Sequence, residues 1–249
     1  MEASDGFSAK CLGCGYDAYT ILGQYFRGLA FYKGLCGPVN YKDAAKWFTE
    51  VAQNNSCDRD YYCIQTQCKQ SAMYYLGFMY YYGQGVEVDY GKAVSWIMSA
   101  FGVSEIADAP EAKAVLGDAY LEGHGVDQSY DLAEHYYKET PSGTAAGAYA
   151  QKRLGDMYRD GTGVKQDYCE ALEHYQQAAE WGSADAQNCL ADMYRNGQGV
   201  DKDPAEAMKW YMKAAQNGSS EARKKIMEMM GGFAQSGISP DSAQKEITD

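Results

Sequence analysis

Four copies of one tetrad, Gly-x-Gly-Val, pace most of the chain and leave little choice of architecture. They are Gly83-Gln84-Gly85-Val86, Gly123-His124-Gly125-Val126, Gly161-Thr162-Gly163-Val164 and Gly197-Gln198-Gly199-Val200, spaced by 40, 38 and 36 residues. Upstream of each lies a small residue, an apolar one and a second small one: Ala72/Leu76/Gly77, Ala112/Leu116/Gly117, Ala150/Leu154/Gly155 and Ala186/Leu190/Ala191. A tyrosine follows at a fixed offset: Tyr80, Tyr120, Tyr158, Tyr194. Ala, Leu and Tyr at i, i+4 and i+8 make one apolar stripe on a first helix, A. The first tetrad glycine ends helix A at positive φ, and the second permits a tight return. Asp89, Ser129, Asp167 and Asp203 are placed to cap a second helix, B, and Pro204 suits its first turn. Helix B carries Ala93/Trp96/Ile97, Ala133/Tyr136/Tyr137, Ala171/His174/Tyr175 and Ala207/Trp210/Tyr211. Two helical patterns per unit, at a period in the upper thirties, predict an all-α protein: a right-handed α/α superhelical solenoid.

A fifth, altered copy precedes these. Phased on Ala44/Trp47/Phe48, it sets Gly23, Gly28, Phe31 and Gly34 on the small, small, Tyr and tetrad positions, with Arg27 in place of Leu. The interval from Gly34 to Gly83 is 49 residues, so about ten are inserted, and Cys57, Cys63 and Cys68 fall within the insert. The predicted organisation is a cysteine-containing segment 1–15, then a solenoid over 16–230, then a mobile polar tail 231–249. Within the solenoid lie an irregular repeat 16–53, a cysteine-rich loop 54–70, regular repeats 71–218 and a capping helix 219–230. Ser220 is expected to cap that last helix and Gly231-Gly232 to stop it.

Charge narrows the partners. With 22 Lys+Arg against 34 Asp+Glu the net charge is −12, which disfavours nucleic acid and anionic membrane surfaces. No run of about 18 apolar residues offers a transmembrane helix. The polar, acidic start lacks the basic and apolar regions of a signal peptide and is compatible with a mature terminus left after export. Of eight cysteines six fall in the first 68 residues: Cys11, Cys14, Cys36, Cys57, Cys63 and Cys68. That clustering reads as a disulfide framework in an oxidising compartment, periplasmic or secreted. Zinc is the competing reading, from Cys11-x-x-Cys14, although a second such pair is missing; free thiols are the third. Cys169 and Cys189 lie 13 and 7 residues from the turn near Gly182. On antiparallel helices that mismatch is an axial offset of about 9 Å, above the roughly 7 Å Cα limit for a disulfide.

The tetrads and stripes together resemble the Sel-like repeat (SLR) family, related to tetratricopeptide repeats, and residues 72–97 and 186–215 follow its pattern most closely. The resemblance extends over about residues 16–230 and implies about five helix pairs in a superhelix that acts as adaptor, scaffold or inhibitor. It implies another protein as partner, such as a toxic effector neutralised by an immunity protein or an envelope component. A cysteine-rich branch is associated with β-lactam binding, the alternative activity. That branch carries a regular cysteine pair in each repeat, whereas residues 72–140 carry none.

No catalytic residue, metal set or cofactor motif emerges. His174 takes the helix-B position held elsewhere by Trp47, Trp96, Tyr136 and Trp210 and reads as core; His124 lies in a turn and His135 on a solvated face. Ser242-Ala243-Gln244-Lys245 matches S-x-x-K but sits in the polar tail, where that motif has no cleft. Binding residues are sought instead on helix A, off the apolar stripe. There the second half of the chain offers an acidic ladder, Asp118, Glu122, Asp156, Asp160 and Asp192, and the first half an aromatic row, Tyr74, Phe78, Tyr81 and Tyr82. The competing reading makes the ladder a solvated face, satisfied locally by Arg159 and Arg195 at i+3.

Overall fold

The structure, a computed structural model, describes residues 20–54, 62–101 and 109–235. Those residues form helices and turns. The first pair is α1 (Ile21–Lys33) and α2 (Tyr41–Gln53); the second is α3 (Tyr62–Tyr82) and α4 (Tyr90–Phe101). The third is α5 (Pro110–Glu122) with α6 (Tyr130–Lys138), and the fourth α7 (Ala145–Asp160) with α8 (Tyr168–Glu180). The fifth is α9 (Ala184–Asn196) with α10 (Pro204–Gln216), and α11 (Ser220–Gln235) follows. Contacts divide the chain into two compact units. Unit 1 is Met1–Ala112 with Glu122–Gln128, and unit 2 is Lys113–Leu121 with Ser129–Asp249.

One turn geometry closes all five pairs. The first tetrad glycine, or Gly34 in the first copy, stands in the left-handed region at φ 65 to 72°. At Gly34, Gly161 and Gly197 its own N–H then donates to a carbonyl of the last helical turn. Nine residues after the Tyr position, the cap of helix B donates its backbone N–H to that tyrosine's carbonyl. Asn40 bonds Phe31, Asp89 bonds Tyr80, Ser129 bonds Tyr120, Asp167 bonds Tyr158 and Asp203 bonds Tyr194, all at 2.9 to 3.1 Å. Each cap side chain also accepts from the first turn of helix B, for example Lys92 N–H to Asp89 at 2.9 Å. The altered first copy thus keeps the register of the others, with Phe31 on the Tyr position.

The small residue after the apolar one is where the helices meet. A Cβ at Gly28 would lie 2.6 Å from the Phe48 ring, at Gly77 2.4 Å from Ile97, at Gly117 2.4 Å from Tyr137 and at Gly155 2.6 Å from Tyr175. In the fifth pair Ala191 and Tyr211 share one core cluster. Phe48, Ile97, Tyr137, Tyr175 and Tyr211 have no exposed surface, and each such side chain contributes about 1.5–3 kcal/mol by burial. The second tetrad glycine does more than return the chain. At Gly85, Gly125, Gly163 and Gly199 a Cβ would come within 2.4 Å of Tyr41, Tyr90, Tyr130 and Tyr168, the first residue of the preceding helix B.

Around Ile21, Phe48, Val51, Leu76 and Met79, unit 1 builds its core. In unit 2, clusters of described residues form around Tyr137 with Leu154, Tyr175 with Leu190, and Tyr211 with Ala222. Several expectations need correction. The inserted segment 54–70 is not all loop: α3 already begins at Tyr62, and Gln70, with no exposed surface, donates to the Ala100 carbonyl. Gly231-Gly232 does not stop α11, which runs to Gln235, and the side chain that accepts from its first turn is Ser219, not Ser220. His174 is half-buried, because the sealed helix-B position is the next one, Tyr175. The 1–15 segment, most of the tail and the Ser242–Lys245 motif lie outside the described residues.

Candidate interaction surfaces

Helix A places Asp118, Asp156 and Asp192 one residue past the small position, directly over the buried ring of helix B. Each accepts a hydrogen bond from that ring's hydroxyl: Tyr137 to Asp118 at 2.6 Å, Tyr175 to Asp156 at 2.7 Å, and Tyr211 to Asp192. Cations complete the shell. Arg153 Nε donates to Asp118 at 3.0 Å, Lys152 to Asp156 at 2.7 Å, and Lys225 of α11 to Asp192 at 2.6 Å. Tyr149 also donates to Asp118, at 2.7 Å, and Asp118 is buried. Burial pushes the Tyr137 and Tyr175 hydroxyls well above the usual tyrosine range; the Asp118 charge adds to it at Tyr137, and Cys189 and Asp156 add to it at Tyr175. These three rungs of the ladder are therefore hydrogen-bond acceptors for buried hydroxyls, Asp118 buried itself and Asp156 and Asp192 partly exposed. The local arginine pairing holds in part: Arg159 reaches Asp156 at 3.7 Å and Asp160 at 2.7 Å. Asp160 and Glu122 lie at the surface, Glu122 3.2 Å from His124 Nδ1.

The missing signal is a spacing of 19 residues. Asp118/Tyr137, Asp156/Tyr175 and Asp192/Tyr211 keep it, and the two pairs that lack a hydroxyl also lack the acid: Leu29/Phe48 and Phe78/Ile97. An acid appears only where a buried hydroxyl needs an acceptor.

The aromatic row of α3 divides. Tyr74 is 9 % exposed, edge-on to Phe101 at 5.8 Å, and its hydroxyl has no hydrogen-bond partner among the described residues. It is part of the interior. Phe78 is half-buried and Tyr82 58 % exposed. Tyr81 touches Tyr82 at 5.1 Å and Tyr90 at 5.2 Å, and Tyr90 stacks on His124 at 4.2 Å and 4°. Tyr82, Tyr81, Tyr90 and His124 thus form a continuous run of rings along the turn edge of unit 1, with Val88 half-exposed nearby in sequence. The sequence row missed Tyr90 and His124, which lie on other elements.

Against the disulfide expectation, Cys68 is a buried free thiol; Cys169, exposed, and Cys189 are free thiols as well. Burial raises the Cys68 and Cys189 thiols to about 11. Cys36 lies half-buried in the first turn, and Cys11, Cys14, Cys57 and the Cys63 side chain fall outside the described residues. Among the described residues no group of three His, Cys, Asp or Glu is placed to hold a metal, and no helix is long and apolar enough to cross a membrane.

Repeated helix pairs, with caps, glycine contacts and inter-helix hydrogen bonds recurring at fixed offsets, define an α/α repeat protein. The Sel1 repeat model matches residues 21–56, 70–97, 110–139, 148–183 and 184–219, and the chain belongs to the Sel1 repeat family. Sel1 repeats are generally protein-interaction modules. A protective antigen of uropathogenic Escherichia coli with an SLR fold aligns at TM-score 0.66 and 26 % identity, over 90 % of this chain and 44 % of its own. This chain therefore spans less than half of that antigen. A Sel1 repeat protein from Oxalobacter formigenes aligns at 0.63 and 28 %, over 82 % and 76 %. One from Klebsiella pneumoniae, at 0.50 and 16 % over 84 % and 93 %, shares the fold. No curated protein matches the sequence.

Proposed function

We propose that this chain is a non-catalytic adaptor or inhibitor that holds a segment of another protein against the aromatic edge of unit 1. The observation that carries this reading is Tyr82, largely exposed at the end of a ring run whose other members are held by mutual contact. Exposed, pre-ordered tyrosines lose little conformational entropy on binding and are enriched at interaction hot spots. The partner in this reading is exported, a toxic effector or an envelope component; six of the eight cysteines cluster in the first 68 residues, a pattern of oxidising compartments, although Cys68 is a free thiol.

The test compares Phe78→Ala and Tyr82→Ala with a control, Glu180→Ala, on an exposed face of α8. Immobilised full-length chains are exposed to extract of the source cell envelope, and the captured protein is identified by mass spectrometry. Loss of that protein with Tyr82→Ala, at unchanged melting temperature and with the control still binding, supports the reading; Phe78→Ala, whose ring is half-buried, is compared at a temperature well below its own melting point. Equal capture by all chains refutes it.

A further inference from the structure

Unit 2 contains an open pocket of about 210 Å³ between α7 and the turn that joins α8 to α9. Ala145, Ala148 and Gly182 leave the space, because they carry little or no side chain; a Cβ at Gly182 would have nothing within 4 Å. Tyr149 and Trp181 line it with aromatic surface. The Tyr149 hydroxyl donates to Asp118 at 2.7 Å, which fixes the ring while 42 % of the residue stays exposed.

Its charges do not balance. Lys152 lines the pocket, but its ammonium is bound to Asp156 at 2.7 Å, and the neighbouring Arg159 is bound to Asp160 at 2.7 Å. Asp185, exposed in the first turn of α9, has no ion-pair partner among the described residues. The pocket therefore offers two aromatic side chains and one carboxylate that has no ion-pair partner among the described residues, on a chain of net charge −12. A neutral apolar side chain would shield that carboxylate from water and return nothing. A cation gains from both features, and a guanidinium gains most, since its flat face stacks on rings and its edge pairs with a carboxylate.

We propose that this pocket receives an arginine side chain of a partner protein, with its guanidinium against Tyr149 and Trp181 and paired with Asp185. The proposal rests on the protein-binding reading above, and its test is independent of that reading's aromatic edge. N-acetyl-arginine amide is titrated into the full chain while the indole N–H signals are followed by NMR, with Trp181→Phe assigning the Trp181 signal. A saturable shift of that signal at millimolar ligand is expected. Asp185→Asn should weaken binding about 3- to 10-fold, and raised salt should weaken it too. N-acetyl-citrulline amide, of the same shape without the charge, should bind at least threefold more weakly. Equal binding of the citrulline ligand, tighter binding of N-acetyl-norleucine amide, or no saturable shift overturns the proposal. Phe78→Ala and Tyr82→Ala chains should bind the arginine ligand normally, so failure of the aromatic edge and failure of this pocket remain separable.

Discussion

The pairing of Asp156 with Tyr175 predicts a thermodynamic coupling whose size follows from burial. Tyr175 has no exposed surface, and its hydroxyl donates to Asp156 at 2.7 Å. Tyr175→Phe removes one charge-assisted hydrogen bond and leaves Asp156 with Lys152 and Arg159, a loss of about 1–2 kcal/mol. Asp156→Leu is worse, because the hydroxyl then lies buried without an acceptor, at a cost of about 2–3 kcal/mol. Lys152 loses its acid but adds little, with its side chain 25 % exposed to water, and Arg159 keeps Asp160 at 2.7 Å. The double variant recreates the Leu29/Phe48 pair of the first repeat, in which neither partner needs the other. It should therefore be less damaging than the sum of the singles by about 1–2 kcal/mol. Urea unfolding followed by circular dichroism measures the cycle, and Asp156→Leu alone should lower the melting temperature by about 4–10 °C. Additivity within about 0.5 kcal/mol would show that the hydroxyl and carboxylate do not depend on each other and would refute the account of the ladder.

Other substitutions probe the packing and the titrating groups. Gly155→Ala drives a methyl to 2.6 Å from the sealed Tyr175 ring and should destabilise by about 1–3 kcal/mol. Gly91→Ala, in the first turn of α4 with its nearest neighbour at 3.5 Å, should instead stabilise by about 0.4–1 kcal/mol; thermal melts of the two variants separate steric contact from helix propensity. His174 is held below the usual histidine range, first by burial and then by the Lys138 ammonium, against the opposing pull of Glu173 and Glu134. As pH falls through the ordinary histidine value of about 6.5, the unfolded chain takes up the proton before the folded one, so stability is lost on acidification. His174→Tyr, the residue type of the third repeat, should gain on the wild type as pH drops from 7.5 to 5; a difference that does not grow in acid contradicts this. Iodoacetamide at neutral pH should label Cys169 well before Cys189, whose thiol is raised to about 11 by burial, with peptide mass mapping as the readout.

The fold was legible because its constraints are local in sequence and repeated. Gly at the turn, a cap six residues on and a small residue six before it follow from single-turn sterics, so even the altered first copy gave its register through Gly28, Gly34 and Phe48. In the segment 62–70 the helix is not legible in sequence, because Gln, Thr, Cys and Lys there carry no apolar period. Helix α3 persists through it by contacts with other elements, such as the Gln70 bond to Ala100, which no window along the segment contains. Tyr74 shows the same limit: it lies on one stripe with Tyr82, yet it is buried and edge-on to Phe101 at 5.8 Å while Tyr82 is 58 % exposed. The acidic ladder is the more instructive case. On helix A alone, Asp118, Asp156 and Asp192 look like bait for a basic partner, yet each has a tyrosine 19 residues on, and the repeats without that tyrosine have no acid. An aspartate that recurs only with a buried hydroxyl is set by the interior, so the residues left to specify a partner are those outside the repeat's own bookkeeping. Tyr82, 58 % exposed, and Asp185, exposed in the first turn of α9, are the residues we propose for that role.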